Sequence, residues 1–242
     1  MVKVSVVLPV YDCVRYFRKA IESLGAQTFQ DFEVVIIDDC CYDGTEKIID
    51  IYAQLPNVRV LRHPNNMGLG ESLNDGLAMA TGDYIAIQHG DDISLPLRFE
   101  REVQYLDSHP NVYLVSTWMQ YIDENDKPKK KDGWWLRQVK SVNDNPVEIK
   151  DMMLKTNCMV HTSVMFRKEV FGSVGFYDPD MVPAEDYDYF LRISEKHDLG
   201  IVREVLVQYR VHSAQISNTE GGVKMVSKAA IAVTRAKLRR GL

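Results

Sequence analysis

Val34-Val35-Ile36-Ile37-Asp38-Asp39 decides how this chain is read. Four β-branched apolar residues end in two carboxylates, and Cys40-Cys41-Tyr42-Asp43-Gly44-Thr45 follows. A short, unbroken apolar run of this kind suits a strand covered on both faces. The pattern returns at Tyr84-Ile85-Ala86-Ile87-Gln88, which ends in His89-Gly90-Asp91-Asp92. Two buried strands are thus expected to deliver acids to one edge of one sheet. Open α/β sheets bind ligands outside the carboxyl ends of their strands. Acids gathered there point to a metal, a sugar or a nucleotide, with acid/base work nearby.

Around these strands the chain alternates. Strands are expected at Val4 to Pro9, Glu33 to Asp38, Val58 to Leu61 and Tyr84 to Gln88. Helices are expected at Arg15 to Ala26, Thr45 to Leu55 and Gly70 to Ala80. A further helix runs through Phe99, Val103 and Leu106, with Asp92 or Ser94 as its cap and Pro96 in its first turn. This rhythm implies parallel pairing with helices on both faces. After about residue 112 it loosens. Strands are expected at Tyr113 to Thr117, Thr162 to Phe166 and Val205 to Val211, and helices at Pro146 to Lys155, Ala184 to Lys196 and Val223 to Leu242. Asp123 to Asp126 reads as a turn and Lys127 to Asp132 as a solvated basic loop.

The 242 residues suffice for one large α/β domain or two joined halves, and the formal charge of −5 argues against binding nucleic acid through phosphate contacts. Cys13, Cys40, Cys41 and Cys158 show neither zinc spacing nor a disulfide framework. No signal region and no apolar run of spanning length is seen, so the expectation is a cytoplasmic protein. The first strand ends Leu8-Pro9-Val10-Tyr11-Asp12, with no glycine before Gly25, and no GxxxxGK[ST] loop exists. Dinucleotide and P-loop readings therefore fall. Pro9 and Tyr11 instead offer a flat apolar wall, and Asp39 can accept hydrogen bonds from a base or ribose.

Taken in order, Ser5-Val6-Val7-Leu8-Pro9-Val10-Tyr11, Asp38-Asp39 with Asp43-Gly44-Thr45, Asn66-Met67-Gly68, the acids after the fourth strand, Pro183-Ala184-Glu185-Asp186-Tyr187-Asp188 and Tyr209-Arg210-Val211-His212 resemble the family 2 glycosyltransferases of GT-A fold. The resemblance covers roughly residues 3 to 215. It implies an α/β, Rossmann-like, mostly parallel central sheet flanked by helices, in a single continuous domain over residues 1–222. Residues 1–111 form its nucleotide-sugar-binding half and 112–222 its acceptor-binding half, with a basic C-terminal helix at 223–242. It also implies an inverting, metal-dependent transfer from a nucleotide-diphospho-sugar, with UDP-sugar the first expectation. The acceptor is expected to be a hydroxyl of a glycan or lipid-linked glycan, as in polysaccharide biosynthesis. The alternative is a non-catalytic sugar-nucleotide-binding subunit.

The resemblance also assigns roles. Asp91 matches the last acid of the family's acid-any-acid motif, and His89 stands where the first is expected. Asp91, Asp92 and His212 are the expected ligands of Mn²⁺ or Mg²⁺, with Asp92 read alternatively as a helix cap. His89 is an alternative contact to ribose or phosphate. Asn66, Gly68 and Asn74 lie where donor contacts fall. Asp186 is the expected general base, in its charged form at a helix N-terminus, with Glu185 beside it. His161 and Trp134 are read on the acceptor side. Arg210 is read as an ion-pair partner or a phosphate contact. The six cations of the last helix, with Ala229, Ala230, Val233 and Leu238, allow a peripheral contact with the inner face of a membrane, and a homo-oligomer is left open.

Overall fold

The computed structural model describes residues 2–129, 133–216 and 221–242, and for 221 and 222 the backbone alone. Residues 130–132 of the expected basic loop lie outside that description. In chain order the elements are β1 (Val4–Val10), α1 (Val14–Gly25), β2 (Phe32–Asp38), α2 (Thr45–Tyr52), β3 (Val58–Arg62), α3 (Leu69–Met79) and β4 (Tyr84–Ile87). Then follow β5 (Ile93–Ser94), α4 (Arg98–Ser108), β6 (Val112–Ile122), α5 (Trp134–Ser141), α6 (Pro146–Met153) and β7 (Met165–Arg167). The chain closes with α7 (Val170–Val174), α8 (Glu185–Lys196), β8 (Asp198–Arg210) and α9 (Gly221–Arg240).

One eight-stranded sheet has the order β3-β2-β1-β4-β7-β6-β8-β5. The pairs β1–β2, β2–β3, β1–β4 and β6–β8 are parallel; β4–β7, β7–β6 and β8–β5 are antiparallel. Successive strand residues alternate faces, and each face is covered. Val4, Val6, Leu8, Tyr84 and Ala86 join one apolar cluster. Val7, Ile85 and Ile87 join the other. That two-sided cover is why these strands read as unbroken apolar runs. The chain runs outward from β1 to β3 and then returns to lay β4 on the other side of β1. The strand order therefore reverses between β1 and β4, and a crevice at such a switch point takes ligands.

The sheet is mostly parallel as expected, with β7 a three-residue strand set antiparallel between β4 and β6. Three expectations change. Thr162 does not begin that strand, because His161–Ser163 form a 3₁₀ turn. Strand β8 is thirteen residues long and starts at Asp198, not Val205. Helix α4 begins after Leu97 with no side-chain cap. Ser94 is instead paired in β5, and Asp92 faces the β8 backbone.

Helix α9 packs inward rather than standing apart. Ala232 and Ala236 are buried in the core, with Ala229 and Val233 packed beside them. Lys228 reaches the Asp180 carbonyl, Arg235 pairs with Asp178, Arg239 with Glu195, and Arg240 donates to Ser194. Four of the six cations are thus tied to the domain, and the alanine stripe faces α8 instead of solvent. Among the described residues no helix is long and apolar enough to cross a membrane.

Candidate active site

The turn after β4 lies at the switch point and is braced from below. Gln88, fully buried, donates from Nε2 to the carbonyls of His89 and Asp92 at 2.9 and 3.0 Å. Its Oε1 accepts from Ser94 and from Arg98 Nη1. Arg98 is buried as well, donates to the carbonyls of Ile87 and Val164, and pairs with Glu102 at 3.3 Å. Burial still pushes the Glu102 carboxyl up to about 7, against the pull of that guanidinium. This polar frame fixes where the turn presents its side chains.

Three of them converge. Ligand atoms of His89, Asp91 and Asp92 lie within 4.8 Å of one another. A regular strand would send Asp91 and Asp92 to opposite faces; the turn at Gly90 and Asp91 removes that alternation. Asp91 Oδ2 meets His212 Nε2 at 2.9 Å, so the end of β8 brings in the expected second imidazole. Asp92 is 1 % exposed. Its Oδ1 accepts the Arg210 N–H at 2.8 Å, the Thr162 side chain also favours its charged form, and its Oδ2 has no partner within hydrogen-bond distance among the described residues. Burial, then the neighbouring Asp91 charge, pushes the Asp92 carboxyl well up. An orphaned buried carboxylate oxygen beside a carboxylate–imidazole pair fits a divalent cation. Oxygen ligands suit Mg²⁺ and Mn²⁺, and an imidazole in the set favours Mn²⁺.

Arg210 is a clamp. Its Nε donates to the Asp91 carbonyl, and Nη1 to the Asp123 carbonyl and the Asp126 carboxylate, at 2.8, 3.0 and 2.6 Å. Its guanidinium also lies over Tyr16, 4.7 Å from the ring centroid. Fully buried, it joins the β6 turn to the site, and its Nη2 has no hydrogen-bond partner among the described residues.

Asp39, the expected base or ribose contact, is held by bonds within the chain. It is 3 % exposed. Oδ1 accepts the Met67 N–H and His63 Nδ1, both at 2.7 Å, and Oδ2 accepts the Gly68 N–H at 2.9 Å. His63 Nε2 meets Asp75 at 2.9 Å. Burial opposes the His63 cation, but the two carboxylates outweigh it and raise its pKa. Asp39 therefore ties the 63–68 loop to the sheet edge through three of its carboxylate's acceptor sites.

The remaining donor-side residues lie around that edge. Pro9 is in β1, paired with Ile37. Tyr11 is exposed, and so is Tyr42, whose hydroxyl interacts with Cys40 and Tyr11. Sequence reasoning missed Tyr42 because it read that segment only as a loop after the acids. Asn66 is exposed, and Gly68 has a φ of +88° that a side chain would strain. Asn74 bonds the Tyr177 backbone in both directions, at 3.0 and 2.9 Å. That use makes it a tie between the halves.

In the half expected to take the acceptor, Glu185 and Asp186 open α8. Asn157 Nδ2 donates to Asp186 Oδ2 at 3.0 Å, and Asp186 Oδ1 accepts its neighbour's N–H at 2.7 Å. The helix start does not leave Asp186 an ordinary acid. Burial outweighs those hydrogen bonds and pushes its carboxyl up to about 6. Glu185 is raised too, by burial and by the Asp186 charge, and its Oε2 is unpartnered. Trp135 Nε1 donates to the Asn157 carbonyl at 2.6 Å, whereas Trp134 is 64 % exposed. His161 is not at the lip of this half; its Nδ1 lies 3.2 Å from His89 Nε2. Asn157 and Tyr177 were missed because no local pattern marks them.

A mostly parallel sheet with a candidate cation set at its switch point matches the GT-A class of glycosyltransferases. The family description Glycosyl transferase family 2 matches residues 5–175, and the chain belongs to that family. An uncharacterized glycosyltransferase of Methanocaldococcus jannaschii is 32 % identical over 212 residues, covering 86 % of this chain and 70 % of the relative. The putative glycosyltransferase EpsE of Bacillus subtilis is 32 % identical over 216 residues, 87 % of this chain and 74 % of EpsE. The amylovoran biosynthesis glycosyltransferase AmsE of Erwinia amylovora is 31 % identical over 205 residues, 84 % and 73 %. The fold is shared with Staphylococcus aureus TarS 1-349 in complex with UDP, at TM-score 0.72 and 18 % identity over 95 % of this chain and 65 % of that one. It is shared equally with the mannosyltransferase PcManGT of Pyrobaculum calidifontis in complex with GDP-Man and Mn²⁺, at TM-score 0.73, 18 % identity, 98 % and 70 %.

Proposed function

We propose that the chain transfers a sugar from a nucleotide-diphospho-sugar, UDP-sugar first, to a glycan hydroxyl, with inversion and with a divalent cation. One observation carries the reading: the Asp91–His212 pair stands beside the unpartnered Asp92 oxygen at the sheet's switch point. Asp91, Asp92 and His212 would hold the cation, Mn²⁺ or Mg²⁺. When bound, it supplies Lewis-acid stabilisation of the departing diphosphate. The GDP-Man and Mn²⁺ of PcManGT, and the UDP of TarS, support a nucleotide donor with metal.

Asp186 is the proposed base. Its raised pKa suits removal of a proton from an acceptor hydroxyl near neutral pH. Asn157 orients it, and Trp135 holds Asn157. Direct displacement with such a base gives inversion at the anomeric carbon. Tyr11 and Tyr42 are the proposed wall for the nucleotide base, and Trp134, exposed at the start of α5, the proposed stacking face for the acceptor. Relatives named for amylovoran and O-antigen biosynthesis support a sugar hydroxyl as acceptor.

The test is UDP release from a panel of UDP- and GDP-sugars with Mn²⁺. Slow, Mn²⁺-dependent release from one donor, accelerated by an oligosaccharide acceptor, is expected. Nucleotide binding without release from any donor would make the chain a binding subunit.

A further inference from the structure

Behind the β4 turn runs a buried line of polar side chains that the proposed transfer does not use. His89 Nε2 lies 3.2 Å from His161 Nδ1. His161 Nε2 lies 3.1 Å from the Tyr177 hydroxyl. His161 and Tyr177 are 9 % and 3 % exposed. At the near end, His89 Nδ1 is 3.8 Å from Asp92 Oδ2, the oxygen with no hydrogen-bond partner.

Hydrogen counting sets the direction of this line. A buried polar hydrogen needs an acceptor. Were His161 to donate to Tyr177, the phenol would keep a hydrogen with nothing to receive it, because His161 is its hydroxyl's one hydrogen-bond partner among the described residues. Tyr177 therefore donates to His161 Nε2. A neutral imidazole carries one N–H. A nitrogen that accepts a hydrogen bond carries no hydrogen, so His161 Nε2 is bare, and burial, which holds the His161 imidazole well below its ordinary pKa, agrees. His161 then carries its hydrogen on Nδ1 and donates to His89 Nε2. His89 is left with its hydrogen on Nδ1. At 3.8 Å the Asp92 oxygen is too far to take it, and the His89 side chain is 23 % exposed.

We propose that His89 presents Nδ1–H as a hydrogen-bond donor to a diphosphate oxygen of the nucleotide sugar and is not a cation ligand, with His161 and Tyr177 as positioning residues that fix its tautomer. Naming the diphosphate rests on the transferase reading; the tautomer does not. A carboxylate at this position offers only acceptors, whereas an N–H matches an anionic oxygen. The substitution thus exchanges one kind of donor contact for another.

The test uses the full chain with ¹⁵N-labelled histidine and needs no ligand. Long-range ¹⁵N–¹H correlation spectra, assigned with His89→Gln, are expected to show His89 and His161 protonated on Nδ1. Tyr177→Phe keeps the ring 4.2 Å from Tyr189 and leaves an Nε2–H of His161 no acceptor, so both histidines are expected to keep Nδ1–H while the His161 Nε2 resonance shifts on losing the hydrogen it accepts. His161→Asn, which can still donate to His89, is expected to retain the His89 tautomer, and His161→Phe to lose it. An Nε2-protonated His89 in the wild type, a His161 Nε2 resonance that does not move in Tyr177→Phe, or loss of the Nδ1 hydrogen on adding Mn²⁺ would overturn the proposal. In EDTA, His161→Phe is expected to weaken UDP binding about tenfold while sparing uridine. Equal losses for the two, or none, would overturn the diphosphate contact. Failure of the wild type to bind UDP or uridine, with Mn²⁺ as well as in EDTA, would overturn that contact together with the transferase reading, while the tautomer result would stand by itself.

Discussion

The tips of β2 and β4 look alike in sequence and behave oppositely in the structure. Each is an apolar run ending in paired acids. At β2 the acids are consumed. Asp38 accepts the Cys41 N–H and faces Arg62, and Asp39 takes two backbone N–H groups and His63. At β4 they are left unfinished: Asp91 has an imidazole, and Asp92 keeps a buried oxygen with no partner. The difference teaches that a carboxylate motif becomes a site only where the fold withholds donors. The β2 tip is a brace, and the β4 tip is the candidate centre.

The largest effect expected lies across the crevice. Asp186→Asn is predicted to lower the transfer rate by about 10²–10⁴-fold while leaving UDP affinity unchanged. Its stability should move the other way. A folded-state pKa raised above the unfolded value means stability is greatest at low pH and falls as pH rises through about 6. The variant escapes that loss, so urea unfolding should find it more stable than the wild type at pH 8. The wild-type rate should rise with pH through a midpoint near 6, because the base works deprotonated.

Next is the frame under β4. Arg98→Met leaves Glu102 buried without its cation and is predicted to cost about 3–5 kcal/mol in urea unfolding. It should also weaken Mn²⁺-dependent nucleotide binding, since Gln88 loses the group that orients it. At β2, Asp39→Ala strands the N–H groups of Met67 and Gly68 and is predicted to cost about 1–3 kcal/mol. The comparison between the tips breaks if Asp39→Ala leaves stability unchanged, or if Asp91→Ala costs as much.

The smallest effect concerns His63. Its raised pKa means its contribution is fully present below the unfolded value of about 6.5 and is lost as pH rises through the higher folded value. The stability gap between wild type and His63→Gln should therefore be widest in mild acid and close at alkaline pH. A pH-independent gap would show that the imidazole is a packing group and not a charged link in the brace.

How much of this could be read in advance follows from which forces are local. Strands β1 to β4 and the helices between them carry their own periodicity, so they were legible to within a few residues. Strand β8 was read seven residues short because Asp198, Gly200, Arg203 and Glu204 interrupt its apolar signal. Its pairing with β6 holds those residues in a strand despite irregular register near Thr117 and Trp118. β5 and β7 are too short for any period to show. Asp91, Asp92, His212 and Asp186 could be named from motif order. The inward turn of Asp39 could not, because it depends on His63 and on backbone N–H groups 28 and 29 residues away. The His161 and Tyr177 contacts are likewise tertiary, and no spacing announces them.

The most direct measurement is calorimetric titration of UDP with and without Mn²⁺, on wild type and Asp91→Asn. The account predicts that Mn²⁺ tightens UDP binding by at least about tenfold in the wild type, through a cation shared by Asp91 and phosphate oxygens, and has no effect in the variant. Equal UDP affinity with and without the metal, or the same Mn²⁺ enhancement in Asp91→Asn, would contradict it.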